Sequence, residues 1–193
     1  MKLIWNQIGT HSSKSYVCGH CNKQLASEKA YYAILEATGH PGGYLYICHH
    51  CSKPTFFNFD GAQTPGSSFG NDVNDINDKV VEELYNEARR CYSANAFTSV
   101  VLACRKLLMH IAVSKGADEG LKFIEYVEFL SSNNYIPPDA KDWVDQIRSK
   151  GNEATHEIVI MKKEDAEDLL SFIEMLLKII YEFPANIKKK SQK

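Results

Sequence analysis

The chain has 193 residues, 44% of them hydrophobic and 24% charged, with a formal net charge of −2. That is the composition of a globular protein large enough for one ordinary domain and a small appendage. So even a balance excludes a basic nucleic-acid arm or an acidic tail, and any polyanion binding must rest on a local patch.

The first residues, Met1-Lys-Leu-Ile-Trp-Asn-Gln-Ile-Gly9, hold too short an apolar run for a secretory signal. No window is expected to approach the roughly 18 apolar residues needed to cross a bilayer. The expectation is a cytoplasmic protein without a membrane partner.

Two Cys-x-x-Cys pairs follow, Cys18-Gly-His-Cys21 and Cys48-His-His-Cys51, with 26 residues between them. Each pair is a knuckle that brings two sulfurs to one ion without backbone strain, and two knuckles supply a closed tetrahedral shell. The pattern predicts a structural Zn²⁺ bound by Cys18, Cys21, Cys48 and Cys51, with no coordination position left for catalysis. Redox pairs or two disulfides are the competing readings. His20, His49 and His50 flank the knuckles, either as rim residues or as substitutes for a sulfur. The other two cysteines, Cys91 and Cys104, fall in helical apolar patterns, where thiols act as small hydrophobes.

Between the knuckles, residues 31–35 and 44–47 read as two strands joined by the turn-forming Thr38-Gly-His-Pro-Gly-Gly43, and Thr55-Phe-Phe-Asn-Phe59 as a third. A small antiparallel β zinc ribbon is therefore expected within residues 1–59. It is too small for a core of its own and depends on metal to fold. Residues 60–72 are rich in Gly, Pro, Ser, Asn and Gln and read as a linker.

From there the apolar period changes to 3.6. The pattern predicts a mainly α unit over 73–187 with five helices. The first starts near Asp72 or Asp75, and Ser93-Ala-Asn95 turns the chain into a central second helix carrying Phe97, Val100, Val101, Cys104, Leu107, Leu108 and Ile111. A shorter third helix carries Phe123, Ile124, Val127 and Leu130. Pro137-Pro138 opens the fourth, with Trp143, Val144 and Ile147 on its buried face. The fifth runs from about Glu164 to Phe183 and is closed by Pro184, ahead of a basic tail over 188–193.

Chemistry concentrates in Ile147-Arg-Ser-Lys-Gly-Asn-Glu-Ala-Thr-His-Glu157. On a continuous helix Arg148, Asn152 and His156 fall at four-residue steps, which aligns a cation, an amide and an imidazole. Such a stripe can hold a phosphodiester and move a proton near neutral pH. The alternative is structural: Gly151 ends the helix, Asn152 caps a turn, and Arg148 and His156 pair with Glu153 or Glu157. His110 reads as a packed or surface histidine, Tyr85 and Tyr92 as core rim, dimer surface or stacking rings, and Lys14, Lys23, Lys29 and Lys53 as scattered lysines or phosphate contacts. No phosphate-cradling glycine loop, nucleophile elbow or His-Glu-x-x-His is present.

The runs Tyr85-Asn-Glu-Ala-Arg-Arg-Cys-Tyr-Ser-Ala-Asn-Ala-Phe97, Val100-Val-Leu-Ala-Cys-Arg-Lys-Leu-Leu108 and Ile147 to His156 resemble the domain of unknown function 4145 over about residues 75 to 185. The resemblance implies a HEPN-like five-helix bundle after the ribbon, a homodimer through that bundle, and a link to bacterial defence or nucleic-acid metabolism. It implies a binding or regulatory protein with RNA, DNA or protein as partner. The alternative it carries is a metal-independent ribonuclease with Arg148 at the motif arginine, Ser149 at the polar position and His156 at the histidine. The gap between Arg148 and His156 exceeds that of active members, which suggests a non-catalytic branch or a divergent site. Met109 stands where many relatives place an acid four residues after Arg105.

Overall fold

The computed structural model describes residues 2–137, 143 and 160–191. The chain divides into two compact units, Met1–Ser68 and Phe69–Lys193.

The first unit is one antiparallel sheet in sequence order: β1 (Leu3–Val17), β2 (Gln24–Leu35), β3 (Pro41–Ile47), β4 (Pro54–Asn58) and β5 (Gln63–Thr64). It is larger than the expected small ribbon. Two register shifts against β2, between Trp5 and Ile8 and between Thr10 and Lys14, break the alternation that would have marked β1 as a strand. β5 is two residues long and pairs Gln63 with Phe57 and Thr64 with Phe56. One face of the sheet buries Tyr16, Leu25, Ala30, Tyr46 and Phe57, and this small core continues into Cys18 and Cys48. Its rings meet edge to face, Tyr16 on Phe57 at 5.2 Å and Tyr46 on Phe57 at 5.8 Å.

The second unit is helical: α1 (Lys79–Ser93), α2 (Phe97–Ser114), α3 (Phe123–Ser132) and α4 (Lys163–Leu177). α4 runs on through a π turn, Lys178–Glu182, to Phe183–Ser191. The expected five-helix HEPN-like bundle is thus overturned: the described residues hold four helices, beside a five-stranded sheet. The expected fourth helix lies outside the described residues apart from Trp143, whose ring meets Phe172 at 5.4 Å.

Two boundaries also differ for physical reasons. α1 begins at Lys79 because Asp75 has φ 61°, which a right-handed helix cannot contain, while the Asp78 carboxylate accepts from the Val80 and Val81 amides at 2.9 and 3.3 Å. The last helix passes Pro184, which offers no amide to the preceding turn, because the wider π turn stands directly ahead of it. The lysines expected as a basic tail continue this helix, and Lys189 Nζ reaches Asp75 at 2.6 Å.

α2 is the centre of the helical core. Val100, Val101, Cys104, Leu107, Leu108, Ile111 and Ala112 are all buried on it. By length and composition it is apolar enough to cross a membrane, contrary to the expectation that no window would be, and 44% of it is buried inside the protein. Tyr85 from α1, Leu130 from α3, and Leu170, Phe172, Ile173 and Leu176 from α4 complete this core.

Candidate metal centre

The two knuckles are built alike. β1 delivers Cys18 and β3 delivers Cys48, both completely buried at the end of the aromatic core. In each, the residue after the second cysteine takes a left-handed conformation, Asn22 at φ 54° and Ser52 at φ 58°. Its amide returns to the first cysteine's carbonyl, Asn22 to Cys18 at 2.9 Å and Ser52 to Cys48 at 2.8 Å. The amides of Cys18 and Cys48 donate in turn to the carbonyls of Lys23 and Lys53, both at 3.0 Å. The repeated geometry points both loops at one spot.

There the four sulfurs lie within 4.8 Å of one another, and this group of Cys18, Cys21, Cys48 and Cys51 can hold a metal ion. Cys18 Sγ stands 3.8 Å from Cys51 Sγ, and Cys21 Sγ stands 3.7 Å from Cys48 Sγ. A disulfide needs about 2.05 Å, so the cysteines are unbridged thiols.

The surroundings favour thiolate unevenly. Burial pushes the Cys48 thiol up, but the Cys51 and His50 amides and the facing thiols outweigh it and bring it down to about 7. Burial raises the Cys21 thiol to about 12. Burial, then the negative charge of the cluster, likewise raises Tyr16 to about 12.

The flanking histidines separate cleanly. His20 donates its amide to Cys18 Sγ at 3.4 Å, while its Nε2 sits 2.9 Å from the Pro54 carbonyl, which engages that nitrogen with the loop after the second knuckle. The His49 and His50 rings meet at a tilt, with centres 4.3 Å apart. Two further residues shape the centre without a sequence signal. Gln63 Nε2 donates to the carbonyls of Val17 at 2.8 Å and Pro65 at 3.0 Å, fastening the segment after β5 onto the first knuckle. Gly19 lies under that segment, where a Cβ would stand 2.2 Å from the Pro65 carbonyl oxygen.

The other candidates scatter. Arg148, Asn152 and His156 lie outside the described residues, as does Ser149. His110 Nε2 faces Asp78 Oδ2 at 3.3 Å on the helical surface. Tyr85 is buried and donates to the Asn71 carbonyl at 2.8 Å, and Tyr92 donates to the Glu167 carboxylate. Arg105 is buried, with its guanidinium 4.3 Å above the Phe123 ring. Cys104 is wholly buried and burial drives its thiol far up, as expected of a core residue. Lys14 lies over the Phe57 ring at 4.3 Å, while Lys23, Lys29 and Lys53 are at the surface of the sheet unit.

A family model described as a domain of unknown function (DUF4145) matches residues 86–193. No curated protein and no solved structure matches the chain.

Proposed function

The chain belongs to the DUF4145 family, whose description assigns no activity, and from the four-sulfur centre set before that domain we propose that it is a zinc-dependent binding module. The sulfur spacing carries this reading. A tetrahedral ion with metal–sulfur bonds of about 2.3 Å requires sulfur–sulfur edges of about 3.8 Å. The facing pairs stand at 3.8 and 3.7 Å. An all-sulfur, four-ligand set is that of structural zinc, in which the ion joins distant chain segments and its binding energy becomes folding energy. Here it would tie the end of β1 to the end of β3, closing a sheet whose own buried core is only a handful of side chains.

Zinc content of the protein purified without added metal tests the proposal. The expected result is one zinc per chain, falling to a small fraction in Cys48→Ser. Cobalt exchange should give the intense visible absorption of a tetrahedral thiolate site. Thiols that stay metal-free, or that are recovered as disulfides, would overturn it.

A further inference from the structure

The sheet has a second face, opposite the one that buries Tyr16 and Phe57. Strand register sets Ile8 beside Tyr31, Tyr31 beside Leu45 and Leu45 beside Phe56, so these four make one row across four strands. Trp5 pairs with Ala33, and Ala33 with Gly43. Over these two small residues the indole reaches Phe56 edge to face, with ring centres 5.9 Å apart. Trp5 is 43% exposed, Ile8 52% and Tyr31 39%, whereas Ala33 beneath the indole is fully covered. Phe56 is half-buried and buttresses Trp5. Lys29, two residues before Tyr31 and therefore on the same face, is exposed beside them.

Size and charge decide what this face suits. Four strands about 4.8 Å apart and some five residues along them give about 300 Å². A stable protein interface needs about 800 Å² per partner. Sheets of this width that display rings stack two or three bases of a single strand. Charge is divided in the same sense: residues 1–68 carry five lysines against three carboxylates, while residues 69–193 carry 17 basic and 21 acidic side chains. A zinc ion held by four thiolates adds two negative charges and leaves the sheet unit near neutral, so a polyanion is repelled by the helical unit and not by the sheet, where Lys29 supplies the local positive charge. We propose that this outer face is a stacking platform for single-stranded nucleic acid, with Trp5 and Tyr31 each receiving a base and Lys29 a phosphate.

The proposal rests on the zinc reading in one respect, that the sheet is held in shape by its metal. The test is fluorescence anisotropy of labelled oligo(U) and oligo(dT) of about 12 nucleotides, within the range that such platforms cover. The full-length protein is used, and zinc is assayed on the same sample. Binding should be saturable, and a duplex of equal length should bind far more weakly. Tyr31→Ala and Trp5→Ala should each weaken it about tenfold, Tyr31→Phe should keep it, and Lys29→Ala should reduce the salt slope by about 0.7. Preference for oligo(U) over oligo(dT) would assign the platform to RNA, and the reverse to DNA. A zinc-replete protein that binds neither strand, or whose affinity is untouched by Tyr31→Ala, overturns the platform and leaves the zinc reading intact. A metal-free protein that binds normally overturns the zinc reading alone. A dimer in sedimentation that Tyr31→Ala dissociates would give the face to a second copy and overturn the proposal.

Discussion

Gly19 occupies a place that no side chain fits, because a Cβ there would lie 2.2 Å from the Pro65 and 2.5 Å from the Gly66 carbonyl oxygens. Both are backbone atoms, the Pro65 oxygen held by Gln63, and cannot swing aside as a side chain would. We expect Gly19→Ala to lower zinc affinity about 10- to 100-fold although it removes no ligand, as outer-shell changes do; competition with a chromophoric chelator reads it. The four cysteines were legible because the ligand spacing is local. Gly19 was not, since the atoms that exclude a side chain belong to residues far along the chain. Asp78 gives a second residue-scale prediction. Its bond to His110, then those to the Val81 and Val80 amides, hold its carboxyl below the usual carboxylate range. A carboxyl depressed by folding stabilises above its unfolded pKa and loses that contribution as pH falls through the folded value. Asp78→Ala should cost about 1 kcal/mol near neutral pH, and the difference from wild type should shrink below about pH 4 in denaturant titrations.

At the scale of elements, residues 69–77 are a strap rather than the opening turn of α1. Asn71 donates its amide and side chain to Glu174 at 2.8 and 3.0 Å, and Asn74 donates its amide to Glu182 at 2.7 Å. Buried Arg89 fastens the start of the strap, reaching the carbonyls of Phe69 at 3.2 Å and Gly70 at 3.1 Å and the Asp72 carboxylate at 2.6 Å. Burial would raise the Glu174 carboxyl, but Lys178 and Asn71 outweigh it and leave it lowered. Of the stretch that reads as linker, Asn71 is a partner for Glu174 on the last helix, and no local pattern reveals a partner about a hundred residues away. β1 escaped the sequence for a related reason: its bulges hide the period while its pairing with β2 supplies the strand. The long apolar repeats of α2 and α4 were plain because packing and period agree along them. Arg89→Lys keeps the charge but loses the planar fork that serves two carbonyls and a carboxylate together. We expect it to destabilise the helical unit by about 2 kcal/mol, read as a lower denaturant midpoint by circular dichroism.

Across the whole molecule, stability comes from two unlike sources. Residues 69–193 bury a continuous apolar core of the size that folds unaided, including Tyr85, Leu107, Leu108, Ile111, Leu130 and Phe172. Residues 1–68 bury Tyr16, Leu25, Ala30, Tyr46 and Phe57 around two cysteines, too little to offset the entropy of ordering five strands. On the proposed zinc reading the sulfur cross-link supplies the difference, which would make the sheet unit conditional on metal and the helical unit indifferent to it. A strong chelator should therefore abolish the folded state of the sheet while leaving the helical signal at 222 nm nearly unchanged. The two tryptophans report separately, Trp5 from the sheet and Trp143 from beside Phe172. Chelation should shift only the Trp5 emission to the red, and readdition of zinc should reverse it. Apo protein should then melt with the helical transition alone, whereas zinc-loaded protein should show a second transition that moves with free zinc concentration, because a ligand bound only to the folded form stabilises it by mass action. Loss of both units together on chelation would mean that the helical core is not self-sufficient, and the division of labour between metal and apolar packing would fail with it.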